Sequence, residues 1–324
     1  MNPSELSLGW KAAVNEVVIG ATAAEGGTRG KTVKIGGSQC VPWLGFDGPV
    51  GHRPALAIEI WDCGGSSWVE QLQEAYGASI SDPVEWAKAA AALNPDLLCL
   101  RMMGTHPSMD DSSPAEAAEK VRAILAAVDI PLMIWGCDVD EKDNVVLPKC
   151  SEAAKGENCL LGSAKEKNYR TLVASCLADG HKLIAESPLD INIAKQVNIL
   201  ANDVGYPLEN IIIYPTTAAL GYGSEYVFSI MERGRLAGLS GDKLLQQPVL
   251  CDVGSQAWRA KEAVASEDAL PGLGAPKERG PLWEALSATN YLQAGADLIV
   301  LRHPEAIRTV QQSIERLYQT AVAQ

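Results

Sequence analysis

The sequence predicts an α/β protein built on a parallel sheet, and three features of its 324 residues support this class. Eight short apolar runs recur along the chain, and segments with helical patterns separate them. The runs are continuously apolar rather than alternating, which is typical of strands that are covered on both faces of a sheet. The composition, with 47% hydrophobic and 21% charged residues, is that of an ordinary globular protein.

The chain begins with a predicted β-hairpin. Residues 11 to 36 alternate apolar and polar positions on both sides of a glycine-rich centre, ATAAEGGTRG. Alternation around such a turn favours two antiparallel strands. We therefore predict an N-terminal unit over residues 1–54, made of this hairpin and a lead-in segment.

Eight strands are predicted after the hairpin, and helices are predicted between them. The predicted strands cover residues 56–62, 97–103, 132–137, 159–163, 183–187, 211–215, 249–254 and 297–302. Two of the helices have clear starting signals, since Asp82 and Ser113 each precede a proline at the first helical position. Asp190 begins another helix, and further ones are predicted over residues 224–237, 282–294 and 305–322.

Strands that alternate with helices in this way predict a (β/α)8 barrel, the TIM barrel, over residues 55–324. The region of roughly 270 residues is close to the usual size of that fold. A doubly wound open sheet is the alternative. The barrel is favoured because one domain then uses the whole region without a linker or a break in composition.

Charge and cysteine content exclude several classes of protein. The formal net charge of -13 disfavours nucleic acid and anionic membranes as partners. No apolar run reaches the roughly 20 residues of a membrane span, and the N-terminus lacks the order of a signal peptide, so we expect a cytoplasmic protein. None of the eight cysteines forms a C-x-x-C pair, which predicts reduced structural thiols and no local iron–sulfur cluster or structural zinc.

Candidate site residues follow the predicted strands, because barrels of this kind carry their sites at the carboxyl ends of the strands. The polar positions there are Glu59, Asp62, Arg101, His106, Cys137, Asp138, Ser163, Glu186, Ser187, 215–222, Asp252, Gln256, Arg302 and His303. Any one of them could equally cap a strand for structural reasons.

Three stretches combine several such groups, and they give our candidate ligand contacts. SPLDIN (187–192), LGYGSEY (220–226) and CDVGSQAW (251–258) bring together polar side chains and glycines. The residues selected from them are Asp190, Asn192, Gly221, Tyr222, Gly223 and Gln256. Common catalytic motifs such as G-x-S-x-G, H-E-x-x-H and G-x-G-x-x-G are absent, so we assign no catalytic residue and no metal ligand.

The sequence resembles the small subunit of the corrinoid/iron–sulfur protein, which is the delta subunit of the acetyl-CoA decarbonylase/synthase complex in archaeal nomenclature. The matching stretches run in order over about three quarters of the chain. They are DPVEWAK (82–88), PLMIWGC (131–137), DEKDN (140–144), ENCLLGSA with NYR (157–170), PLDINIAKQVNI (188–199), ALGYGSEYVFSIMER (219–233), GDKLLQQPVLCDVGSQAWRAKEA (241–263) and RHP (302–304). The hairpin tip and residues 263–282 have no counterpart that we can place.

The resemblance implies a TIM-barrel subunit of a heterodimer that carries a methyl group from a methyl-tetrahydropterin to acetyl-CoA synthase. In that family the methyl group travels on corrinoid (cobalamin) cobalt, in the reductive acetyl-CoA (Wood–Ljungdahl) pathway of anaerobic carbon fixation. The implied partners are the large subunit, the methyl-tetrahydropterin methyltransferase and acetyl-CoA synthase. The corrinoid is implied at the interface with the large subunit, which alone carries the [4Fe–4S] cluster. The chain then has no complete active site of its own.

Two other functions stay open at this stage. The chain could be a stand-alone pterin-dependent methyltransferase that binds pterin in the barrel mouth, which is an analogy at the level of fold. It could also be a scaffold whose polar strand ends are incidental. Pterin binding by the isolated chain would distinguish the first of these, and the sequence identifies neither the pterin nor the direction of the pathway.

Overall fold

The computed structural model describes residues 7–324, which form ten strands and eleven α-helices. The strands are β1 (Val17–Ile19), β2 (Val33–Ile35), β3 (Ala55–Trp61), β4 (Leu97–Arg101), β5 (Leu132–Trp135), β6 (Leu160–Ala164), β7 (Lys182–Glu186), β8 (Ile211–Tyr214), β9 (Leu250–Asp252) and β10 (Leu298–Leu301). The helices are α1 (Glu70–Tyr76), α2 (Pro83–Ala91), α3 (Pro114–Ala127), α4 (Asp140–Ala153), α5 (Tyr169–Asp179), α6 (Ile191–Asp203), α7 (Ser224–Leu239), α8 (Val253–Ala257), α9 (Lys261–Val264), α10 (Pro276–Gln293) and α11 (Pro304–Val322).

Strands β3 to β10 form the predicted barrel. They are all parallel, and their order is β8-β7-β6-β5-β4-β3-β10-β9. The ring closes between β8 and β9 through a single bridge, Ile213 to Val249. Helices pack around the outside of the strands, and the main apolar core lies between these two layers. The (β/α)8 barrel and the separate hairpin are therefore confirmed.

The hairpin closes the amino-terminal end of the barrel. Strands β1 and β2 pair antiparallel, with Val17 opposite Ile35 and Ile19 opposite Val33. These four side chains join one core cluster with the inward-facing apolar residues of the barrel strands. Their burial removes apolar surface from water at the end of the barrel where no substrate site is expected.

Buried Arg29 fastens the hairpin tip to the barrel. Its Nε atom donates to Glu157 Oε2 at 2.7 Å. Its two terminal nitrogens donate to the carbonyls of Val128 at 2.6 Å and of Leu125 at 2.7 Å. The tip is thus a structural joint in which a buried charge has both a counter-ion and carbonyl partners.

Several element boundaries differ from those predicted. The strand predicted over residues 249–254 ends at Asp252, because the next residues turn into α8. The helix predicted over residues 282–294 begins at Pro276, where a proline occupies the first helical position. The last helix ends at Val322 as predicted and begins one residue earlier than predicted, at Pro304.

The eight cysteines are free, and seven of them are buried. Burial raises the pKa of the remaining thiol, Cys63, to about 12. These thiols therefore pack as small apolar groups. Among the helices of residues 7–324, none combines the length and the apolar character that a membrane crossing requires.

Candidate functional site

The inward-facing side chains nearest the carboxyl-terminal end of the barrel are charged, and we call them the charged layer. Arg101 and Asp252 end their strands and Glu59 lies two residues before the end of β3, all with side chains on the inner face, and Arg302 follows β10 in the same alternation. All four are buried or nearly so, with Glu59 fully buried. Charged groups are rarely buried unless they are paired, so this layer is a candidate functional feature.

Arg101 lies across the centre of the mouth. Its Nη2 atom donates to Asp252 Oδ2 at 2.5 Å, although β4 and β9 are separated by two other strands. Its Nη1 atom reaches Asp138 Oδ2 at 3.3 Å, and its Nε atom lies 3.3 Å from Glu59 Oε1. The guanidinium stacks over Trp135, 4.6 Å from the ring centroid. One side chain therefore links three strands and the loop after β5.

Arg302 makes a second ion pair with Glu59. Its Nη2 atom donates to Glu59 Oε1 at 2.7 Å, and the Trp61 indole donates to the same oxygen at 2.7 Å. The Arg302 guanidinium also lies over Trp68, 4.6 Å from the ring centroid. The two arginines together hold Glu59 in its charged form.

The two buried carboxyl groups of this layer differ in acidity. Burial opposes ionisation of Glu59, yet the charges of Arg302 and Arg101 hold its pKa down to about 2. Burial raises the pKa of Asp252 above its ordinary value even though Arg101 is in contact with it. Within residues 7–324, Glu59 Oε2 and Asp252 Oδ1 are buried oxygens without a hydrogen-bond partner. The layer is thus closed to solvent and rich in unmet hydrogen-bonding capacity.

A more accessible polar rim lies on the side of β5 to β7. Lys165 lies 3.2 Å from Asp140 and 3.9 Å from Glu186, and its side chain is 26% exposed. Ser163 donates a hydrogen bond to Glu186. Burial raises the pKa of Glu186. The rim therefore combines an acid with a raised pKa, a cation and, in Asp138, an exposed carboxylate.

Asp143 holds the backbone of the loop after β5, which carries Asp138 of this rim. Its carboxylate accepts the backbone N–H groups of Cys137 at 2.8 Å and Asp138 at 3.1 Å, and the residue is 3% exposed. A side chain at Gly136 would collide with that carboxylate. Although its sequence neighbours are polar, Asp143 is not a solvated side chain, because α4 begins at Asp140 and turns Asp143 inward.

A groove with an open volume of about 440 Å³ lies between the start of α6 and the first turns of α7. Its walls are formed by Leu189, Asp190, Ile191, Asn192, Tyr226, Ser229, Ile230 and Arg233. Two large side chains are unusually exposed there, Leu189 at 44% and Tyr226 at 65%. We call this feature the α6–α7 groove. Exposed apolar side chains beside polar ones are typical of a contact surface.

Asp190 and Asn192, two of the predicted contacts, lie in this groove. Asp190 caps α6, because its carboxylate accepts the Asn192 backbone N–H at 2.7 Å. The Asn192 side chain is exposed. Capping occupies one oxygen of Asp190 and leaves the Asn192 amide available to a ligand.

Tyr222 and its flanking glycines have a bridging role. The Tyr222 hydroxyl donates to Glu262 at 2.9 Å and accepts the Lys261 N–H at 3.0 Å, so it connects the loops after β8 and β9. Gly221 and Gly223 have φ values of +79° and +99°. They are explained by this left-handed backbone and not by a close approach of another group.

Gln256 lies near the charged layer and outside the residues that line the groove. It belongs to α8, and its amide donates to Ser255 Oγ at 3.2 Å. Ser255 in turn donates to Asp252 Oδ2 at 2.7 Å. The six predicted contacts thus divide among the groove, the Tyr222 bridge and the mouth.

Three groove residues on α7 were missed from the sequence, namely Ser229, Ile230 and Arg233, and a fourth, Tyr226, ended a candidate stretch but was not selected. Ser229, Ile230 and Arg233 follow Tyr226 by three, four and seven residues, which places all four on one face of α7. That spacing is visible in the sequence, but only the structure shows that this face is opposite the start of α6.

The (β/α)8 barrel of this chain is shared by solved structures of dihydropteroate synthases. The chain is similar to dihydropteroate synthase of Xanthomonas albilineans with 4-aminobenzoic acid, with a TM-score of 0.57 and 14% identity, over 84% of this chain and 94% of that one. It is also similar to a dihydropteroate synthase of Coxiella burnetii in complex with pteroic acid, with a TM-score of 0.56 and 14% identity, over 87% and 99% of the two chains. At this identity the likeness establishes the fold.

The sequence comparison establishes the family. The family model described as CO dehydrogenase/acetyl-CoA synthase delta subunit matches residues 16–312. The chain is 36% identical to the acetyl-CoA decarbonylase/synthase complex subunit delta 1 of Methanosarcina thermophila, over 95% of this chain and 72% of that one. It is also 36% identical to the delta subunit of Archaeoglobus fulgidus, over 94% and 68%. The chain belongs to this delta subunit family, which confirms the resemblance.

Proposed function

We propose that this chain is the barrel subunit of a heterodimeric corrinoid/iron–sulfur protein that carries a methyl group to acetyl-CoA synthase. Family membership supports the proposal, since the relatives are named as subunits of an acetyl-CoA decarbonylase/synthase complex. The large subunit would carry the [4Fe–4S] cluster and hold the corrinoid against this chain. In the cytoplasm of an anaerobic cell, the heterodimer would exchange the methyl group with the methyl-tetrahydropterin methyltransferase and with acetyl-CoA synthase.

The α6–α7 groove is the structural observation that carries this proposal. A corrinoid is a flat apolar macrocycle edged with amide groups, which both donate and accept hydrogen bonds. Leu189 and Tyr226 offer exposed apolar surface, while Asn192 and Ser229 offer donors and acceptors beside it. The residues present therefore fit the edge of such a ring. When bound, the corrinoid would supply the cobalt that carries the methyl group.

The work of this chain in the proposed complex is to cover the corrinoid and exclude water. Closure by a second protein surface protects a reactive group from solvent. The loops after β8 and β9 are suited to this task, because Tyr222 ties them together through Glu262 and Lys261. A fixed surface loses less conformational entropy on binding than mobile loops would.

Alanine variants of the groove test the proposal. Asn192→Ala and Tyr226→Ala should each lower the corrinoid that the assembled heterodimer retains through gel filtration, measured by its visible absorption per mole of protein. Asn202→Ala is the matched control, because Asn202 is also exposed but lies at the opposite end of α6. Equal retention in all three variants would contradict the assignment of the groove.

The mouth supports a second candidate, a stand-alone pterin-dependent methyltransferase. The specific observation is the rim, where Glu186 has a raised pKa beside Lys165 and the exposed Asp138. Acids with raised pKa values in clefts are common at catalytic sites. Against it, Arg101 already occupies the centre of the mouth with three carboxylate contacts. A titration of the isolated chain with tetrahydrofolate, followed by tryptophan fluorescence, decides between the two, since saturable binding would favour this second candidate.

A further inference from the structure

Helix α10 holds the three loops of the mouth that follow β8, β9 and β10. Tyr291 accepts the Ala218 N–H at 3.2 Å and donates to the Ala218 carbonyl at 2.5 Å, which holds the loop after β8. Seven residues earlier, Glu284 contacts Trp258 after β9 and Arg302 after β10. The spacing places both side chains on the same face of the helix.

Glu284 accepts three N–H groups from two of these loops. Its Oε1 atom accepts the Arg302 backbone N–H at 2.5 Å. Its Oε2 atom accepts the Trp258 indole N–H at 2.8 Å and the His303 backbone N–H at 3.1 Å. The residue is fully buried. Each oxygen therefore has a donor, and the carboxylate is the joint between the segments after β9 and β10.

By holding the Arg302 backbone, Glu284 fixes the position from which the Arg302 side chain extends into the mouth. The same residue whose backbone is held by Glu284 sends its guanidinium to Glu59 at 2.7 Å in the charged layer. Tyr76 holds the next peptide along the chain by donating to the Arg302 carbonyl at 2.6 Å. We propose that Glu284 is the positioning residue that aligns Arg302 and Trp258 at the mouth, and that it does so only as a carboxylate.

Hydrogen-bond chemistry explains the requirement for the ionised form. A carboxylate has only acceptors, which matches three N–H donors. Protonation, or replacement by an amide, would direct a donor at one of those donors and break that contact. Burial raises the pKa of Glu284 to about 7, in spite of the N–H groups of Arg302, Trp258 and His303 that favour its charged form. The joint is therefore expected to loosen as the pH falls through neutrality.

Two ionisable groups beside Glu284 have pKa values that are shifted away from neutrality. Burial lowers the pKa of His303, which stacks on Trp258, to about 4. Burial raises the pKa of Tyr76 well above its ordinary value, and the Arg302 guanidinium is the neighbouring cation. Between about pH 5 and about pH 8, a change at Trp258 should thus report on Glu284.

The indole N–H resonances of the full chain test the proposal directly. Nitrogen-15 spectra are recorded between about pH 5 and about pH 8, and Trp258→Phe identifies the resonance of Trp258. The expected result is a shift of the Trp258 signal with one inflection near neutral pH, which disappears in Glu284→Gln. Trp43 is the internal control, because its indole donates to the backbone carbonyl of Leu292 at 2.8 Å, an acceptor that does not titrate.

Two outcomes would overturn the proposal. One is a Trp258 signal that does not move between these pH values in the wild-type chain. The other is an inflection that persists in Glu284→Gln, which would place the titrating group elsewhere. The wild-type titration alone decides the first outcome, so the test holds even where Glu284→Gln fails to fold. Neither outcome depends on corrinoid binding, so the function proposed above is tested separately.

Discussion

The two ends of the barrel are closed by opposite chemistries. At the amino-terminal end, the apolar side chains of β1 and β2 pack against the inward-facing strand residues, and Ile19 and Ile35 have no exposed surface. At the carboxyl-terminal end, ion pairs between two arginines and two carboxylates close the same cylinder. The first closure gains hydrophobic free energy, whereas the second carries a large desolvation cost.

This difference assigns different roles to the two ends. A buried ion pair is often no more stabilising than an apolar pair of similar volume, so stability alone gives little reason for charges in the upper layer. The charged end is also the end that bears the exposed groove and the bridged loops. We therefore assign stability to the hairpin end, and under the function proposed above the charged end is the one that would contact a ligand or partner. Four changes test this division, from the largest expected effect on stability to the smallest.

Arg101→Ala should have the largest effect. It leaves the buried carboxylates of Glu59 and Asp252 without their shared counter-ion, which costs about 3–5 kcal/mol of unfolding free energy. Urea unfolding followed by circular dichroism measures the loss. A loss under about 1 kcal/mol would show that water or the remaining Arg302 replaces the lost charge and that the layer is not a tightly coupled unit.

Ile35→Ala tests the opposite end. Removing a fully buried isoleucine costs about 2–5 kcal/mol, because a cavity remains where the hairpin meets the strands. The same urea titration measures it. Corrinoid retention in the folded heterodimer should stay at the wild-type level, since Ile35 is at the end remote from the groove. Reduced retention at full folding would contradict the division of roles.

Glu284→Gln should change how stability depends on pH. The folded-state pKa of about 7 is above the ordinary value of 4.5, so between these values the folded chain keeps a proton that the unfolded chain has released. The unfolding free energy should therefore fall as the pH rises through this range, by at most about 3 kcal/mol from this group. Urea unfolding at a series of pH values measures this dependence, and Glu284→Gln should lack the part that Glu284 contributes. Identical dependence of the unfolding free energy on pH in the two proteins would exclude a contribution from Glu284.

Leu189→Ala should barely affect stability. Leu189 is 44% exposed in the groove, and Leu177 on α5, 50% exposed and outside the groove, is its matched control. Both substitutions should change the unfolding free energy by less than about 0.5 kcal/mol. Only Leu189→Ala should weaken binding of the large subunit, measured by calorimetry. Equal binding by both variants would remove the groove from the interface.

Much of the fold can be predicted from the sequence because its signals are local. Continuous apolar runs identify the strands, and Asp82 and Ser113 before proline identify two helix starts, all of which the structure contains. The positions of Glu59, Arg101 and Asp252 on the inner faces of their strands are also predictable from the alternation of a strand. Their pairing is not, because contact between β4 and β9 exists only once the barrel has closed.

The candidate site was predictable in part for the same reason. Asp190 and Asn192 stand out locally after an apolar run, and the structure places both in the groove. Tyr226 and Arg233 belong to another helix, and their place in the groove depends on where the barrel puts α7 relative to α6. Glu284 has no local signal at all, since two of its partners are backbone N–H groups that any sequence would supply.

The central claim is that this chain shares a corrinoid with a larger subunit, and one purification tests it most directly. The tagged chain is isolated from its native anaerobic cells, and the visible spectrum and the co-purifying proteins are recorded. The account predicts a larger partner together with corrinoid absorption, both of which are missing when the chain is produced alone. A colourless protein without a partner would contradict it.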